Sequence, residues 1–165
     1  MIVIDIITSS DPTPADAVTE SRAFAAVHMI SEADCEIRTM RSDSPEALEI
    51  CGNVISADEA LRLYGDEYEE DLIGMWFRRR EEEFSGLPVR LSAMWNSEYD
   101  NLTESVRQEA LRHERIMTPV VYINGNLIGS GKAAKPCEIE KCIKNQQEKK
   151  QKDQPQSQAV LLREF

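Results

Sequence analysis

The sequence has four cysteines, and no two of them show the Cys-x-x-Cys spacing of dithiol redox centres and many zinc sites. Cys35, Cys51, Cys137 and Cys142 are scattered, and the closest two would lie roughly 140° apart around a helix. Scattered thiols are more often small buried apolar residues than ligands. The sequence therefore predicts no metal site.

Positive charge and long apolar runs are also scarce. Nineteen Lys and Arg residues against 30 Asp and Glu residues give a net charge of −11, which argues against nucleic acid and anionic membranes as partners. No apolar run approaches the roughly 20 residues that cross a bilayer, and the N-terminus lacks a basic segment followed by an apolar one. We therefore expect a cytoplasmic protein.

Motifs for common catalytic chemistry are missing as well. The sequence contains no Walker loop, dinucleotide fingerprint, histidine-rich metal motif or nucleophile elbow. Of its two histidines, His113 precedes a proline loop and can act there as a base or a pH-sensitive contact. A solvated histidine at a helix C-terminus is the more frequent case.

The clearest local signal that is present is a hairpin between residues 117 and 129. Pro119 leads into four β-branched or aromatic residues at 120–123, which predict a buried strand. Asn124 and Gly125 suit a two-residue type I′ turn, because both central positions of that turn need positive φ. A second strand follows the turn.

The first forty residues predict a β-α-β unit. Residues 2–7 form a near-continuous β-branched run, as in a strand buried on both faces. A helix fits residues 15–30, with Asp11 or Thr13 as its cap, and residues 34–40 suit a second strand. The handedness rule makes the two strands parallel.

The middle of the chain reads as helical. Residues 54–113 contain no convincing strand, and helices are predicted at 67–84 and 102–114. Seven of the ten aromatic residues lie in this region, where they form either a small helical core or an aromatic-lined groove that faces the proline loop. They are Tyr64, Tyr68, Trp76, Phe77, Phe84, Trp95 and Tyr99.

A last helix is predicted from Pro136, followed from Lys144 by a polar tract that cannot bury a core. The tract ends in an apolar tip at 159–165. That tip can dock on its own domain, on a second copy or on a partner, and a disordered terminus carries equal weight. The aromatic residues of the middle region and this apolar tip are together compatible with a homodimer.

This order of elements, with the Thr118-Pro119 hairpin, resembles the thioredoxin and glutaredoxin plan. An all-helical insertion before the proline is similar to DsbA-type disulfide oxidoreductases and kappa-class glutathione transferases. The resemblance implies an α/β thioredoxin-like fold, a mixed sheet flanked by helices, built from residues 1–55 and 113–145. It further implies a helical insertion at 56–112, a polar linker and tail at 146–165, and a cis bond before Pro119.

The cysteine pair of that plan has no counterpart here. Thiol–disulfide exchange needs a low-pKa thiolate at a helix N-terminus, usually with a second thiol three residues on. The resemblance places this pair where the first strand meets the first helix, and this chain carries Ser9, Ser10, Asp11 and Thr13 there. Serine has no redox couple, so we expect a degenerate active site without dithiol chemistry.

Three functions remain open. The favoured one is a binding module that holds a peptide or protein partner, needs no cofactor, and performs no chemistry. Its expected contact residues are Ser9, Ser10, Asp11, Thr13, Met117, Thr118 and Pro119.

Two enzymatic alternatives follow from the same resemblance. In a glutathione transferase- or isomerase-like protein, the hydroxyl of Ser9 or Ser10 would stabilise the thiolate of glutathione. In an oxidoreductase, Cys137 would act instead, because the dipole at the start of the last helix can lower the pKa of a thiol there. The candidate catalytic residues are therefore Ser10 and Cys137.

Overall fold

The computed structural model describes residues 1–10, 13–30, 34–67 and 97–153. Within these ranges the chain forms six strands and five helices. In chain order they are β1 (Ile2–Thr8), α1 (Pro14–Met29), β2 (Cys35–Arg41), α2 (Pro45–Ile50), β3 (Val54–Ile55), α3 (Ala57–Tyr64), α4 (Ser97–Arg112), β4 (Ile116–Met117), β5 (Val120–Ile123), β6 (Asn126–Ser130) and α5 (Pro136–Asp153).

Four of the strands form one mixed sheet in the order β2-β1-β5-β6. β1 and β2 are parallel, whereas β5 is antiparallel to both of its neighbours, β1 and β6. Asn124 and Gly125 connect β5 to β6 with φ angles of 47° and 77°, which confirms the predicted turn. The expected mixed sheet flanked by helices is also confirmed, and β3 and β4 form a separate parallel pair.

Alternation along β1 builds a core on each face of the sheet. Ile2, Ile4 and Ile6 pack with aliphatic residues of β5, α1 and α5. Ile7 faces the opposite side and packs with residues of α2 and β5. Asp5 shares that second face, where it is buried and paired with Arg38 of β2 at 2.6 Å.

A third apolar cluster joins the helices before the proline loop to the β3–β4 pair and to the start of α1. It contains Ile55 of β3 and Met117 of β4, together with buried residues of α3, α4 and the first turn of α1. Because Met117 immediately precedes Thr118, this cluster fixes the loop from one side. The helical region therefore positions the Thr118-Pro119 segment directly.

Three boundaries differ from the sequence prediction. β3 lies where no strand was expected, since two residues are too short to give a periodic signal. α4 begins at Ser97 rather than at 102, and Ser97 with Asp100 three residues on is a second helix-start signal. α5 runs through Asp153 into the expected linker, because Gln, Glu and Lys are good helix formers.

Several sequence expectations fall outside the described residues. They include most of the helix predicted at 67–84, the aromatic side chains of the insertion other than Tyr64, the apolar tip at 159–165, and Asp11.

Candidate functional site

Two buried hydroxyl groups meet where β1 ends. The Oγ of Ser9 lies 2.7 Å from the Oγ1 of Thr118, and either atom can donate the hydrogen bond. Neither residue exposes surface to solvent. The Oγ1 of Thr118 also accepts the main-chain N–H of Ala57 at 2.9 Å, so one side chain joins β1, the proline loop and the start of α3.

A buried carboxyl group lies in the first turn of α1. Oδ2 of Asp16 accepts the N–H and the hydroxyl of Thr13 at 2.6 and 2.8 Å, and Oδ1 accepts the N–H of Ser9 at 3.2 Å. Thr13 returns a bond by accepting the N–H of Asp16 at 3.3 Å, which completes a capping box. We call Ser9, Thr13, Asp16 and Thr118 the junction.

Burial controls the electrostatics of the junction. It raises the pKa of Asp16, and the hydrogen bonds from Thr13 and Ser9 act in the opposite direction without cancelling it. One helical turn further on, the pKa of Glu20 is raised by partial burial and by the charge of Asp16. The start of α1 thus carries two carboxyl groups, which makes it unfavourable for an anionic ligand.

The main chain of the proline loop is occupied on two sides. The Thr118-Pro119 bond is cis. The N–H groups of Ile116 and Thr118 donate to main-chain oxygens before and within β3, both at 3.0 Å. On the other side, the oxygen of Pro119 accepts the N–H of Gly131, also at 3.0 Å. An extended ligand would therefore have to displace β3 in order to use these two N–H groups.

The structure brings most of the predicted contact residues together but leaves few of them accessible. Five of these residues are buried. They are Ser9, Thr13, Met117, Thr118 and Pro119. Ser10 is partly exposed, and Asp11 lies outside the described residues. Ser10 is thus the accessible contact residue at this end of the sheet within the part of the chain that the structure describes.

All four cysteines are free, and they differ in environment. Cys137 is exposed in the first turn of α5, and Cys51 is buried beside Tyr122. Burial, together with the contact to Cys51, raises the pKa of the Tyr122 hydroxyl to about 12. Burial and the neighbouring Asp34 raise the pKa of Cys35.

His113 lies just after α4, as the sequence suggested. Its ring stacks on Tyr64 of α3 with centroids 5.0 Å apart, and its Nε2 lies 3.4 Å from a carboxylate oxygen of Glu109. More than half of its side-chain surface is exposed. This position agrees with the solvated helix-end interpretation.

A second concave surface lies beside β6, and we call it the β6 cleft. Its volume is about 860 Å³, and it lies between β6, the loop at 132–135 and α4. Arg107 of α4 reaches into it and is held by Glu104 through two contacts at 2.9 and 2.5 Å. The hydrogen bond from Arg107 is the main reason that the pKa of Glu104 falls to about 2.

Gly131 allows Arg107 to lie against the loop. Its φ of 74° favours glycine, and a Cβ at this position would come within 2.5 Å of the Cδ of Arg107. Arg22 of α1 fixes the next part of the loop by donating to the oxygens of Ala133 and Ala134, both at 3.3 Å. Arg107 of α4 and Arg22 of α1 thus both contact the loop that lines the β6 cleft.

Sequence reasoning missed Asp16, Arg107 and the β6 cleft. A signal for Asp16 was present, because Thr13 with an acid three residues on matches the capping-box pattern. Arg107 gives no such signal. Its role depends on the packing of α4 against a loop more than twenty residues further along the chain.

Comparisons of the chain with protein-family models, with curated proteins and with solved structures find no match. Among the described residues, no cluster of three or more His, Cys, Asp or Glu side chains could hold a metal ion. No helix in the same part of the chain is both long and apolar enough to cross a membrane.

Proposed function

We propose that the chain is a thioredoxin-like protein without dithiol chemistry that binds a protein or peptide partner. The binding surface lies where the end of β1 meets the Thr118-Pro119 loop. The strand order β2-β1-β5-β6, with β1 and β2 parallel and β5 and β6 antiparallel, supports the likeness to the thioredoxin plan. The helices between β3 and β4 support the likeness to DsbA-type proteins, which carry an all-helical insertion before the proline.

The observation that carries this proposal is the hydrogen bond between Ser9 and Thr118. In the loop between β1 and α1, where the thioredoxin plan carries its reactive thiols, the hydroxyl of Ser9 is wholly buried and bonded to the proline loop. A group in that state connects two segments of the chain and is not presented to a substrate. The reactive centre of the plan is thus replaced by a structural contact.

Partner contacts are then made mainly by side chains. The N–H groups of Ile116 and Thr118 already bond within the chain, so strand addition to the proline loop would require β3 to leave. Ser10 is partly exposed beside the buried pair, and this exposure supports its assignment to the rim of the proposed surface. Substitutions there should affect binding without disturbing the fold.

The first test is enzymatic. The full chain should not accelerate the reduction of insulin by dithiothreitol above the rate without protein. The Cys137→Ser variant should behave identically. Catalysis that disappears in Cys137→Ser would overturn the proposal in favour of the oxidoreductase alternative, for which the exposed thiol of Cys137 is the supporting observation. Saturable glutathione binding that Ser10→Ala abolishes would favour the transferase-like alternative.

The second test locates the binding surface. A photo-crosslinking amino acid at position 10 should capture a partner from a cell extract, and the same group at Leu63, which is exposed on α3, should not. Capture at both positions with the same products would contradict a specific surface. Sedimentation of the full chain and of a chain ending at 153 tests whether the partner is a second copy bound through the tail.

A further inference from the structure

The β6 cleft carries an inference that does not depend on the proposed function, because it concerns a different edge of the sheet. β6 is the last strand in the order β2-β1-β5-β6. No strand in the described part of the chain pairs with its outer side. An open strand edge presents main-chain donors and acceptors that another chain can use. Here that edge lines a cleft whose volume falls in the range of ligand sites.

The register of β5 and β6 identifies Ser130 as the residue that presents its main chain to the cleft. The N–H of Gly131 bonds to the oxygen of Pro119, and Ser130 lies opposite Val120. In an antiparallel pair, residues that bond across the ladder alternate with residues whose N–H and C=O point away from it. The N–H and C=O of Ser130 therefore point away from β5, toward the side where the cleft lies.

The charge of the cleft is opposite to that of the whole chain. Its lining contains four basic side chains and two acidic ones, whereas the chain has a net charge of −11. Arg107 is held by Glu104, and Arg22 bonds to loop oxygens. Lys132 and Lys135 line the cleft, and neither ammonium group lies within 4.0 Å of a carboxylate among the residues that the structure describes, although the charge of Lys132 helps to lower the pKa of Glu104. These two ammonium groups therefore favour an anionic occupant.

We propose that the β6 cleft binds an extended peptide with acidic side chains, which adds to the edge of β6 at Ser130. The N–H and C=O of Ser130 form a donor and acceptor pair that matches another main chain. A small carboxylate would use the N–H and leave the C=O unpaired. Carboxylates on alternate positions of the peptide face Lys132 and Lys135, where the attraction is electrostatic and depends on salt.

The test uses a fluorescein-labelled, amidated heptapeptide that alternates valine and glutamate, and a matched peptide with lysine in place of glutamate. Fluorescence anisotropy with the full chain should give saturable binding of the acidic peptide and no binding of the basic one. Ser130→Pro removes the outward N–H, while Ser130→Ala keeps it. Loss of about one hydrogen bond should raise the Kd roughly fivefold in the proline variant alone.

Charge reversal provides an independent second measurement. Lys132→Glu combined with Lys135→Glu should raise the Kd about tenfold or more at low salt, and added salt should shrink that difference. Lys144→Glu, on an exposed part of α5 outside the cleft lining, serves as the matched control and should leave the Kd within about twofold.

Three results would overturn the proposal. The first is an acidic peptide that does not bind, or that binds the doubly reversed variant as well as the native chain. The second is equal affinity of Ser130→Pro and Ser130→Ala when both melt cooperatively. If the proline variant unfolds, the Ser130 amide resonance of the native chain decides instead, and it must shift on peptide addition. The third is glutarate displacing the peptide at similar concentration, which would indicate a small-anion site. None of these results bears on the surface at Ser10.

Discussion

The junction lies at the start of the β5–β6 hairpin and the β6 cleft lies along its outer strand. The two regions differ in whether their polar groups are bonded inside the protein. At the junction, the hydroxyls of Ser9 and Thr118 and the carboxyl group of Asp16 are bonded inside the protein. The β6 cleft is lined by Ser130, Lys132 and Lys135, and the register of β5 and β6 turns the main chain of Ser130 away from β5. Polar groups that are buried and bonded stabilise a structure, and those left open are the ones that can recognise a ligand.

Because of this difference, we expect substitutions in the two regions to affect different properties of the protein. Changes at the junction should lower the free energy of unfolding. Changes at the β6 cleft should alter binding with small effects on stability. A junction residue that proved neutral for folding, or a cleft residue that proved essential for it, would break the distinction.

The largest effect is expected for Asp16→Ala. The substitution leaves the N–H groups of Ser9 and Thr13 without their acceptor and removes the capping box, at a cost of about 2–3 kcal/mol. Urea unfolding followed by circular dichroism measures the loss. Glu46→Ala is the matched control, an exposed acid in the first turn of α2, and should cost less than about 0.5 kcal/mol. Equal losses in the two variants would show that the buried contacts of Asp16 contribute nothing.

Thr118→Val should follow, with a loss of about 2 kcal/mol. Valine keeps the shape of the side chain but leaves the N–H of Ala57 unpaired and removes the partner of Ser9. Ser9→Ala alone should cost about 1 kcal/mol. In a double-mutant cycle the combined loss should fall short of the sum by about 0.5 kcal/mol or more, because both variants remove the same bond. Strict additivity would argue against that bond.

How well the sequence predicts these features depends on how far apart in the chain their interacting residues lie. The hairpin, the cap at Thr13 and the β-α-β start are encoded in neighbouring residues, and the structure has them close to where they were expected. β3 is different. Val54 and Ile55 become a strand only because Ile116 and Met117 pair with them across more than sixty residues.

The same reasoning explains the candidate site. The thioredoxin resemblance predicts that Ser9 and Thr118 lie at one place, and the structure has them in hydrogen-bond contact. Their burial could not be predicted, because it depends on the packing of α3 and β3 around the loop. The β6 cleft arises from a loop and a distant helix, so no local pattern indicates it.

Gly131→Ala and Gly125→Ala sharpen the comparison within the hairpin itself. Both glycines have positive φ, at 74° and 77°, so alanine should cost about 1 kcal/mol at each. A Cβ at Gly125 meets nothing within 4 Å, whereas one at Gly131 meets the side chains of Arg107 and Met117. Thermal melts should therefore place Gly131→Ala below Gly125→Ala by a few degrees. Identical melting temperatures would mean that Arg107 does not lie against the loop.

The smallest effects are expected in the pH dependence of stability. The contributions of Asp16 at the junction and of Glu104 at the β6 cleft should change in opposite directions as the pH falls. The pKa of Asp16 is raised above its ordinary value of 3.8, so its contribution to stability is full below that value and is lost as the pH rises through the raised pKa. The pKa of Glu104 is lowered from 4.5 to about 2, so its contribution is present above 4.5 and is lost as the pH falls toward 2. Acidification from pH 7 should therefore widen the stability difference between the native chain and Asp16→Asn.

The difference in stability between the native chain and Glu104→Gln should instead narrow as the pH falls below 4.5. It should amount to about 0.5 kcal/mol or less, since the side chain of Glu104 is 40% exposed and its pair with Arg107 is screened by solvent. Other charged groups lie nearby, namely Glu20 beside Asp16 and Lys132 beside Glu104. The stability of the native chain is therefore compared at each pH with that of Asp16→Asn in one series and of Glu104→Gln in the other, so that the contributions of these neighbours cancel. Urea unfolding at a series of pH values gives both curves. Slopes of the same sign would contradict the assignment of Asp16 to a buried environment and of Glu104 to an ion pair.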